Sequence, residues 1–290
     1  MTSVAANAKS PVAAAVPRGF TLRQYTICLK GIVWREGLRF LHQRERFISA
    51  LVRPLVWLFI FAAGFRQVLG VSIIPPYQTY ILYSVYITPG LITMIQLFNG
   101  MQSSLSMVYD REMGNMRTLL VSPLPRWYLL CSKLVAGTAV SLLQVYAFLA
   151  IAWFWDIEPP PFGYLSVLPA LILSGLMLGA LGMLISSVIK QLENFAGVMN
   201  FVIFPMFFAS SALYPLWRVR EGSPFLYYIC QFNPFTHAVE LIRFALYTQI
   251  NWTSLAVVAG CTVLFMVGAI LAYDPSRGFL ARRDAPGGGK

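Results

Sequence analysis

YDREMGNMRTLLVSPLPRWYLLCSKL, residues 109–134, is a charged segment punctuated by proline, and it lies between two long apolar runs. The chain around it is strongly apolar, with 58% hydrophobic and 11% charged residues, whereas soluble domains carry about 25% charged residues. This composition predicts a membrane protein. A polar loop between two membrane spans is a place where a soluble partner can bind.

The apolar runs predict the number of crossings. A helix must cover about 30 Å of hydrocarbon at about 1.5 Å per residue, so each crossing needs roughly 20 apolar residues. Six stretches qualify, at about 47–65, 80–104, 127–155, 164–188, 195–214 and 252–273. We therefore expect an all-α membrane protein with six transmembrane helices in one domain, 18–275, between a disordered tail, 1–17, and a second tail, 276–290.

Residues 224–248 are apolar but contain the dipeptide Asn233-Pro234. Asn followed by Pro is typical of a helix N-cap and first helical residue, so two short helices are expected, neither long enough to cross alone. We interpret them as a re-entrant helical hairpin before the last span, which is tolerable where protein or water satisfies the broken backbone. Within it, Glu240 and Arg243 are spaced to pair at i,i+3.

The distribution of charge supports this topology. With six spans and a cytoplasmic N-terminus, 18 of the 22 Lys and Arg residues lie inside and four outside, as the positive-inside rule expects. A seventh crossing would place the basic tail outside. The net charge of +11 is thus explained by membrane orientation, and no nucleic acid is required. Both termini are predicted to be cytoplasmic.

Residues 20–44 have apolar side chains at helical spacing with basic residues beside them. This pattern predicts an interfacial amphipathic helix on the cytoplasmic leaflet, where Lys and Arg meet lipid headgroups. The alternative is a basic flank that only orients the first span.

Three sequence features together resemble the permease subunits of ABC-2 type transporters. They are DREMGNMRTLLVSPLPRWYLLCSKL in the charged loop, FPMFFASSALYPL in the fifth span and NPFTHAVELIRFALY before the last span. The resemblance implies a cytoplasmic coupling helix between spans 2 and 3 that docks on a separate ATP-binding subunit. By this resemblance, the coupling helix and its flanks contain Asp110, Arg111, Glu112, Gly114 and Arg117. The outer hairpin contains Asn233, Pro234, Glu240 and Arg243. Without the resemblance, an ordinary solvated loop would be the simpler interpretation.

The resemblance further implies an exporter in a bacterial inner membrane, built from two ATP-binding subunits and two permeases, either a homodimer or a pair with a related permease. The sequence contains no GxxxxGK[ST] phosphate-binding loop. We therefore expect ATP and Mg²⁺ on the partner and no cofactor or metal on this chain. Two other hypotheses are a membrane-embedded lipid-modifying enzyme, which needs grouped acid, base or metal residues, and an energy-independent channel, which needs charged rings or a filter motif. The sequence shows neither pattern.

Polar residues in two spans are candidates for contact with substrate. Thr93, Gln96 and Asn99 recur every three residues in the second span and so share a helical stripe. The fifth span offers Asn200, Phe204, Phe207 and Ser210. Two interpretations are open: an amphipathic path between two permease copies, for lipid-like, drug-like or glycan cargo, or helix packing through hydrogen bonds of about 1 kcal/mol. Gly175, Gly179 and Gly182 in the fourth span predict close helix packing within one subunit.

Overall fold

The computed structural model describes residues 21–42, 44–65, 75–77, 81–112, 125–155, 157–189 and 191–272. Over these ranges the chain is all-helical, with ten helices and no strand. The helices are α1 Leu22–His42, α2 Arg44–Phe65, α3 Tyr83–Glu112, α4 Arg126–Trp153, α5 Gly163–Val188, α6 Leu192–Phe208, α7 Leu216–Gly222, α8 Pro224–Phe232, α9 Pro234–Leu246 and α10 Trp252–Ala272.

Helix α5 lies at the centre of the fold and packs most extensively against α3 and α10. Glycines permit the approach to α3. A Cβ added at Gly100 would lie 3.0 Å from the backbone of Gly179, and one added at Gly182 would lie 2.9 Å from the carbonyl oxygen of Gly100. The predicted close packing at Gly175, Gly179 and Gly182 is confirmed. A side chain at Gly182 would push α5 away from α3, whereas a Cβ at Gly175 or Gly179 would meet side chains of α4 at 2.9 and 2.5 Å.

Three of the described helices are long and apolar enough to cross a membrane, namely α4, α5 and α10. Helix α3 has 30 residues, or about 45 Å at 1.5 Å per residue, but it carries more polar side chains. Helices α2 and α6 contain shorter apolar segments, Leu51–Ile60 and Leu192–Phe208. Membrane helices are thus present, and the count of six crossings stays a prediction.

The fifth predicted span ends earlier than its expected bounds of 195–214, because helix α6 ends at Phe208. The hydroxyl of Ser210 donates to the carbonyl of Phe207 at 2.6 Å and accepts from the amide of Ala212 at 3.2 Å. These bonds stabilise a turn in place of a further helical turn. The short helix α7 that follows was not expected from the sequence.

The break expected at Asn233 is present between α8 and α9. The Asn233 side chain caps α9 by accepting from the amide of Phe235 at 3.0 Å, and Pro234 is the first helical residue. A proline there is favourable because the first helical amide has no partner within the helix. That this helix pair re-enters the membrane stays a prediction.

Helix α1 coincides closely with the helix expected at 20–44, and it packs along the start of α4. The hydroxyl of Tyr128 donates to the backbone carbonyl of Tyr25, and the two rings meet edge to face with centroids 4.7 Å apart. Leu22, Ile27 and Trp34 remain exposed. These contacts fix α1 against α4, and its place at the membrane surface stays a prediction.

Candidate functional site

The predicted coupling segment follows the end of α3. Asp110, Arg111 and Glu112 form the last turn of that helix, and α4 begins at Arg126. Residues 113–124, which include Gly114 and Arg117, lie outside the described residues. The described ends of α3 and α4 therefore bracket the loop, and its contact with a partner stays a prediction.

Gln96 and Ser174 connect the middle of α3 to α5. The side-chain amide of Gln96 donates to the carbonyl of Leu171 at 2.7 Å, and its oxygen accepts from the hydroxyl of Ser174 at 2.7 Å. Gln96 is buried. Both ends of its amide thus bind within the chain, which is the arrangement expected of a polar side chain between membrane helices.

Asn99 continues the same stripe one turn further along α3. Its side-chain nitrogen donates to the carbonyl of Gly137 in α4 at 2.8 Å. A narrow cleft lies beside it, where α3, α4 and α5 meet, and its lining includes Gln96, Asn99, Ser103, Thr138 and Ser141. Thr93, the third member of the stripe, donates to the carbonyl of Pro89 in its own helix at 2.7 Å and is fully buried.

The four candidates on the fifth span divide into two pairs. Phe207 and Ser210 are buried against the rest of the chain, whereas Asn200 and Phe204 are exposed. Of the seven candidate path residues, only Asn200 and Phe204 have exposed side chains. The polar side chains of the α3 stripe form hydrogen bonds within one subunit. That any of the seven residues lines a substrate path stays a prediction.

A buried charged cluster joins α9 to α3. Arg243 is 3% exposed and forms the expected ion pair with Glu240 one turn earlier. Its second terminal nitrogen donates to the carbonyl of Ser211 at 2.8 Å, and the guanidinium lies 4.2 Å from the ring centroid of Tyr86. Tyr86 donates to the same Ser211 carbonyl at 3.0 Å. One arginine therefore connects three segments of the chain.

Around this cluster several polar atoms are buried without a hydrogen-bond partner among the described residues. They are the Tyr77 hydroxyl, the Ser211 hydroxyl, the Thr236 hydroxyl and Nε of Arg243. Burial raises the pKa of the Tyr77 phenol, and Arg243 nearby acts in the opposite direction. The net increase keeps Tyr77 neutral at physiological pH. The phenol therefore adds no charge to the cluster, whose ion pair is Arg243 with Glu240.

Asn233 attaches the hairpin to the end of α6 as well as capping α9. Its side-chain nitrogen donates to the carbonyls of Met206 and Ala209, at 2.8 and 2.7 Å. Carbonyls at a helix C-terminus have no partner within the helix. A single amide side chain therefore satisfies the end of one helix and the start of another.

Comparison with known proteins places this arrangement in a family. The model of the ABC-2 type transporter family matches residues 28–247, which include helices α2 to α9 and the loop between α3 and α4. The chain belongs to the ABC-2 type transporter family. It is therefore a transport permease of the membrane, and its family implies association with an ABC ATP-binding subunit.

Three relatives illustrate the similarity of this permease. A transport permease named ycf38 from Cyanophora paradoxa is 29% identical over 211 residues, covering 71% of this chain and 69% of that protein. The protein of the same name from Pyropia yezoensis is 25% identical over 228 residues, 77% of this chain and 75% of its own. YbhR from Escherichia coli K12, named as a multidrug ABC transporter permease, is 32% identical over 165 residues, 56% of this chain and 43% of its own.

The sequence indicated some of these contacts and missed others. The spacing of Glu240 and Arg243 was sufficient to predict their pair, because both lie on one helix. The contacts of Arg243 with Ser211 and Tyr86 join segments 32 or more residues apart, and no local signal announces them.

Proposed function

We propose that this permease is the membrane subunit of an ATP-driven exporter in a bacterial cytoplasmic membrane. Membership of the ABC-2 type family over residues 28–247 carries the proposal. The absence of a phosphate-binding loop supports it, since ATP and Mg²⁺ must then bind a partner. The segment that includes Asp110, Glu112 and Arg117 receives the force of ATP hydrolysis from that partner.

The working assembly in this proposal contains two permeases and two ATP-binding subunits. Helix α6 supports the pairing of permeases, because one of its sides is exposed and apolar around a single amide. Phe201, Phe204 and Phe208 are exposed there, and so is Asn200. A second copy covering this side would enclose a path lined by aromatic rings and an amide.

The proposed cargo is amphipathic, of the lipid-like, drug-like or glycan kind, and it moves outward. The aromatic and amide character of the exposed α6 side favours such molecules. The Escherichia coli relative is named as a multidrug permease, which agrees with a drug-like cargo. Both termini face the cytoplasm in this scheme, as the positive-inside distribution of charge requires.

The test is co-purification with a co-expressed ATP-binding subunit, followed by ATP hydrolysis and dye efflux in cells. The variants Glu112→Lys and Arg117→Glu are expected to lose the partner and the efflux together, because charge reversal removes contacts that fix the docking. Glu193→Lys, an exposed charge reversal at the start of α6, is the matched control and is expected to retain both. Equal efflux from all three variants would refute the role of the loop.

A further inference from the structure

Helices α7 and α8 form one compact unit, separate from the polar stripe and from the coupling loop. The two helices pack on each other, and Ser223 joins them. The amide of Ser223 donates to the carbonyl of Val219 at 2.8 Å, and its hydroxyl accepts from the amide of Leu226 at 3.4 Å. One residue thus ends α7 and caps α8, which holds the pair in a defined geometry.

One side of α8 is apolar and uncovered. Phe225, Tyr228, Ile229 and Phe232 follow the i, i+3, i+4, i+7 pattern, and they are 76%, 58%, 44% and 83% exposed. On the opposite side Cys230 is fully buried. Leaving such large side chains in water is unfavourable by about 25 cal/mol per Å² of apolar surface. An apolar partner for this side is therefore required.

The anchoring of Asn233 sets the depth of this surface. Because its side chain binds the carbonyls of Met206 and Ala209, the end of α8 lies beside the end of the apolar helix α6. Phe208, in the last turn of α6, is also exposed. The apolar side of α8 therefore lies beside the end of α6. With α6 as the fifth span of the proposed topology, this is the level of lipid chains just below their headgroups.

Helix α7 has a net positive charge, from Arg218 and Arg220 against one acid, Glu221. Arg218 and Arg220 are exposed, and their guanidiniums lie 6.0 Å from the ring centroid of Trp217 and 5.7 Å from that of Tyr227. No ion pair with either arginine is found over the described ranges. Tryptophan and tyrosine are enriched at membrane interfaces, and guanidinium binds phosphate through paired hydrogen bonds. Charge and aromatic rings thus occur together at the expected headgroup level.

We propose that the α7–α8 unit is a binding surface for anionic phospholipid. The acyl chains lie along Phe225, Tyr228, Ile229 and Phe232, and the phosphate binds Arg218 and Arg220. The lipid belongs to the outer leaflet, and this assignment, like the depth of α8, rests on the topology proposed above. The surface attaches the hairpin to the bilayer while α9 remains attached to α3 through Arg243.

The test uses the full-length permease in nanodiscs that contain a photoactivatable phosphatidylglycerol or phosphatidylcholine, with cross-linked peptides mapped by mass spectrometry. Phosphatidylglycerol is expected to label residues 216–232 more strongly than phosphatidylcholine. In Arg218→Gln/Arg220→Gln this labelling is expected to fall about fivefold, which corresponds to about 1 kcal/mol in total, because exposed charge pairs are weak. Labelling of the exposed side of α10, at Val263, Leu264 and Val267, is the internal control and is expected to stay constant.

Absence of label from residues 216–232 would overturn the proposal, because it would mean that lipid does not reach α8 and that protein covers its apolar side. Equal labelling by both lipids, unchanged in the double variant, would also overturn it by excluding a phosphate site. A second variant, Arg218→Lys/Arg220→Lys, keeps the charge and is expected to retain an intermediate preference for phosphatidylglycerol. Failure of the unmutated permease to retain the ATP-binding subunit in the co-purification test would refute the exporter proposal while leaving the lipid labelling unchanged.

Discussion

At the scale of single residues, Arg243 makes three different kinds of contact. It pairs with Glu240, donates to Ser211 and lies over the ring of Tyr86. A buried ion pair is costly to desolvate, so it is weak evidence for stability by itself. Its effect here is specificity, because it fixes how α9 sits against α3 and the turn after α6.

Arg243→Met is expected to lower the free energy of unfolding by about 3 kcal/mol, because removal of one partner leaves Glu240 without its cation. Unfolding by denaturant in detergent micelles, followed by circular dichroism, measures the change. Arg23→Met, at an exposed arginine of α1, is the control and is expected to have little effect. The double variant Glu240→Gln/Arg243→Met is expected to cost less than the two single changes added together; strict additivity would contradict a coupled pair.

Asn233 is the second decisive residue, and its two functions can be separated. Asn233→Ala removes the cap of α9 and the bonds to α6, for a loss of about 2–3 kcal/mol. Asn233→Asp keeps the cap oxygen but loses the donor to Met206 and Ala209, so about half of that loss is expected. Hydrogen exchange over α8 and α9 is the measurement, with faster exchange in Asn233→Ala than in Asn233→Asp.

Asn194→Ala is the matched control, since the amide of Asn194 binds only the side chain of Gln191 on an exposed surface. It is expected to leave exchange in α8 and α9 unchanged. Identical exchange in the alanine and aspartate variants of Asn233 would mean that the cap oxygen contributes nothing. Exchange in Asn233→Asp equal to that of the unmutated chain would mean that the amide donor contributes nothing.

At the scale of elements, the contact of α3 with α5 determines how the helices assemble. The backbones of Gly100 and Gly179 meet there, and Gln96, one turn earlier on α3, donates a hydrogen bond to α5. Small residues allow membrane helices to approach closely and to form interhelical hydrogen bonds. This contact places Gln96 and Asn99 inside the subunit.

Gly182→Ala is expected to destabilise the permease by about 1–3 kcal/mol, because the new Cβ would lie 2.8 Å from the Ser104 hydroxyl and 2.9 Å from a backbone carbonyl. Gly260→Ala in α10 meets nothing within 4 Å and is the matched control. Thermal unfolding of the two variants in the same detergent is the comparison. A lower midpoint for Gly260→Ala, or an unchanged one for Gly182→Ala, would contradict the packing of α3 on α5.

At the scale of the whole molecule, the distribution of charge predicts orientation. Four basic residues are assigned outside and 18 inside, and the positive-inside rule acts through loops close to the membrane. Lys30 in α1 and Glu158 after α4 are both exposed, and the proposed topology places them on opposite sides.

In a variant whose four native cysteines are replaced, Glu158→Cys is expected to react with a membrane-impermeant maleimide in intact cells. Lys30→Cys is expected to react only after the cells are opened. Fluorescence of the labelled protein on a gel is the measurement. The reverse pattern would invert the topology and with it the assignment of the coupling loop to the cytoplasm.

The sequence by itself determined the all-helical membrane class, the bounds of α4, α5 and α10 to within a few residues, and the break at Asn233. These features depend on hydropathy and on local backbone chemistry, both of which are properties of adjacent residues. The family was also recognisable, because the motifs that carry it are contiguous segments.

Only the tertiary structure decided that α6 ends at Phe208, that Gln96 binds α5 and that Arg243 is buried against α3. Hydropathy does not show the end of α6, because residues 209–214 are apolar enough to continue a helix. Ser210 forms a local turn there, and Asn233, more than twenty residues further along the chain, binds the carbonyls of Met206 and Ala209. Such bonds depend on which segments meet in space, and residue order alone does not specify that.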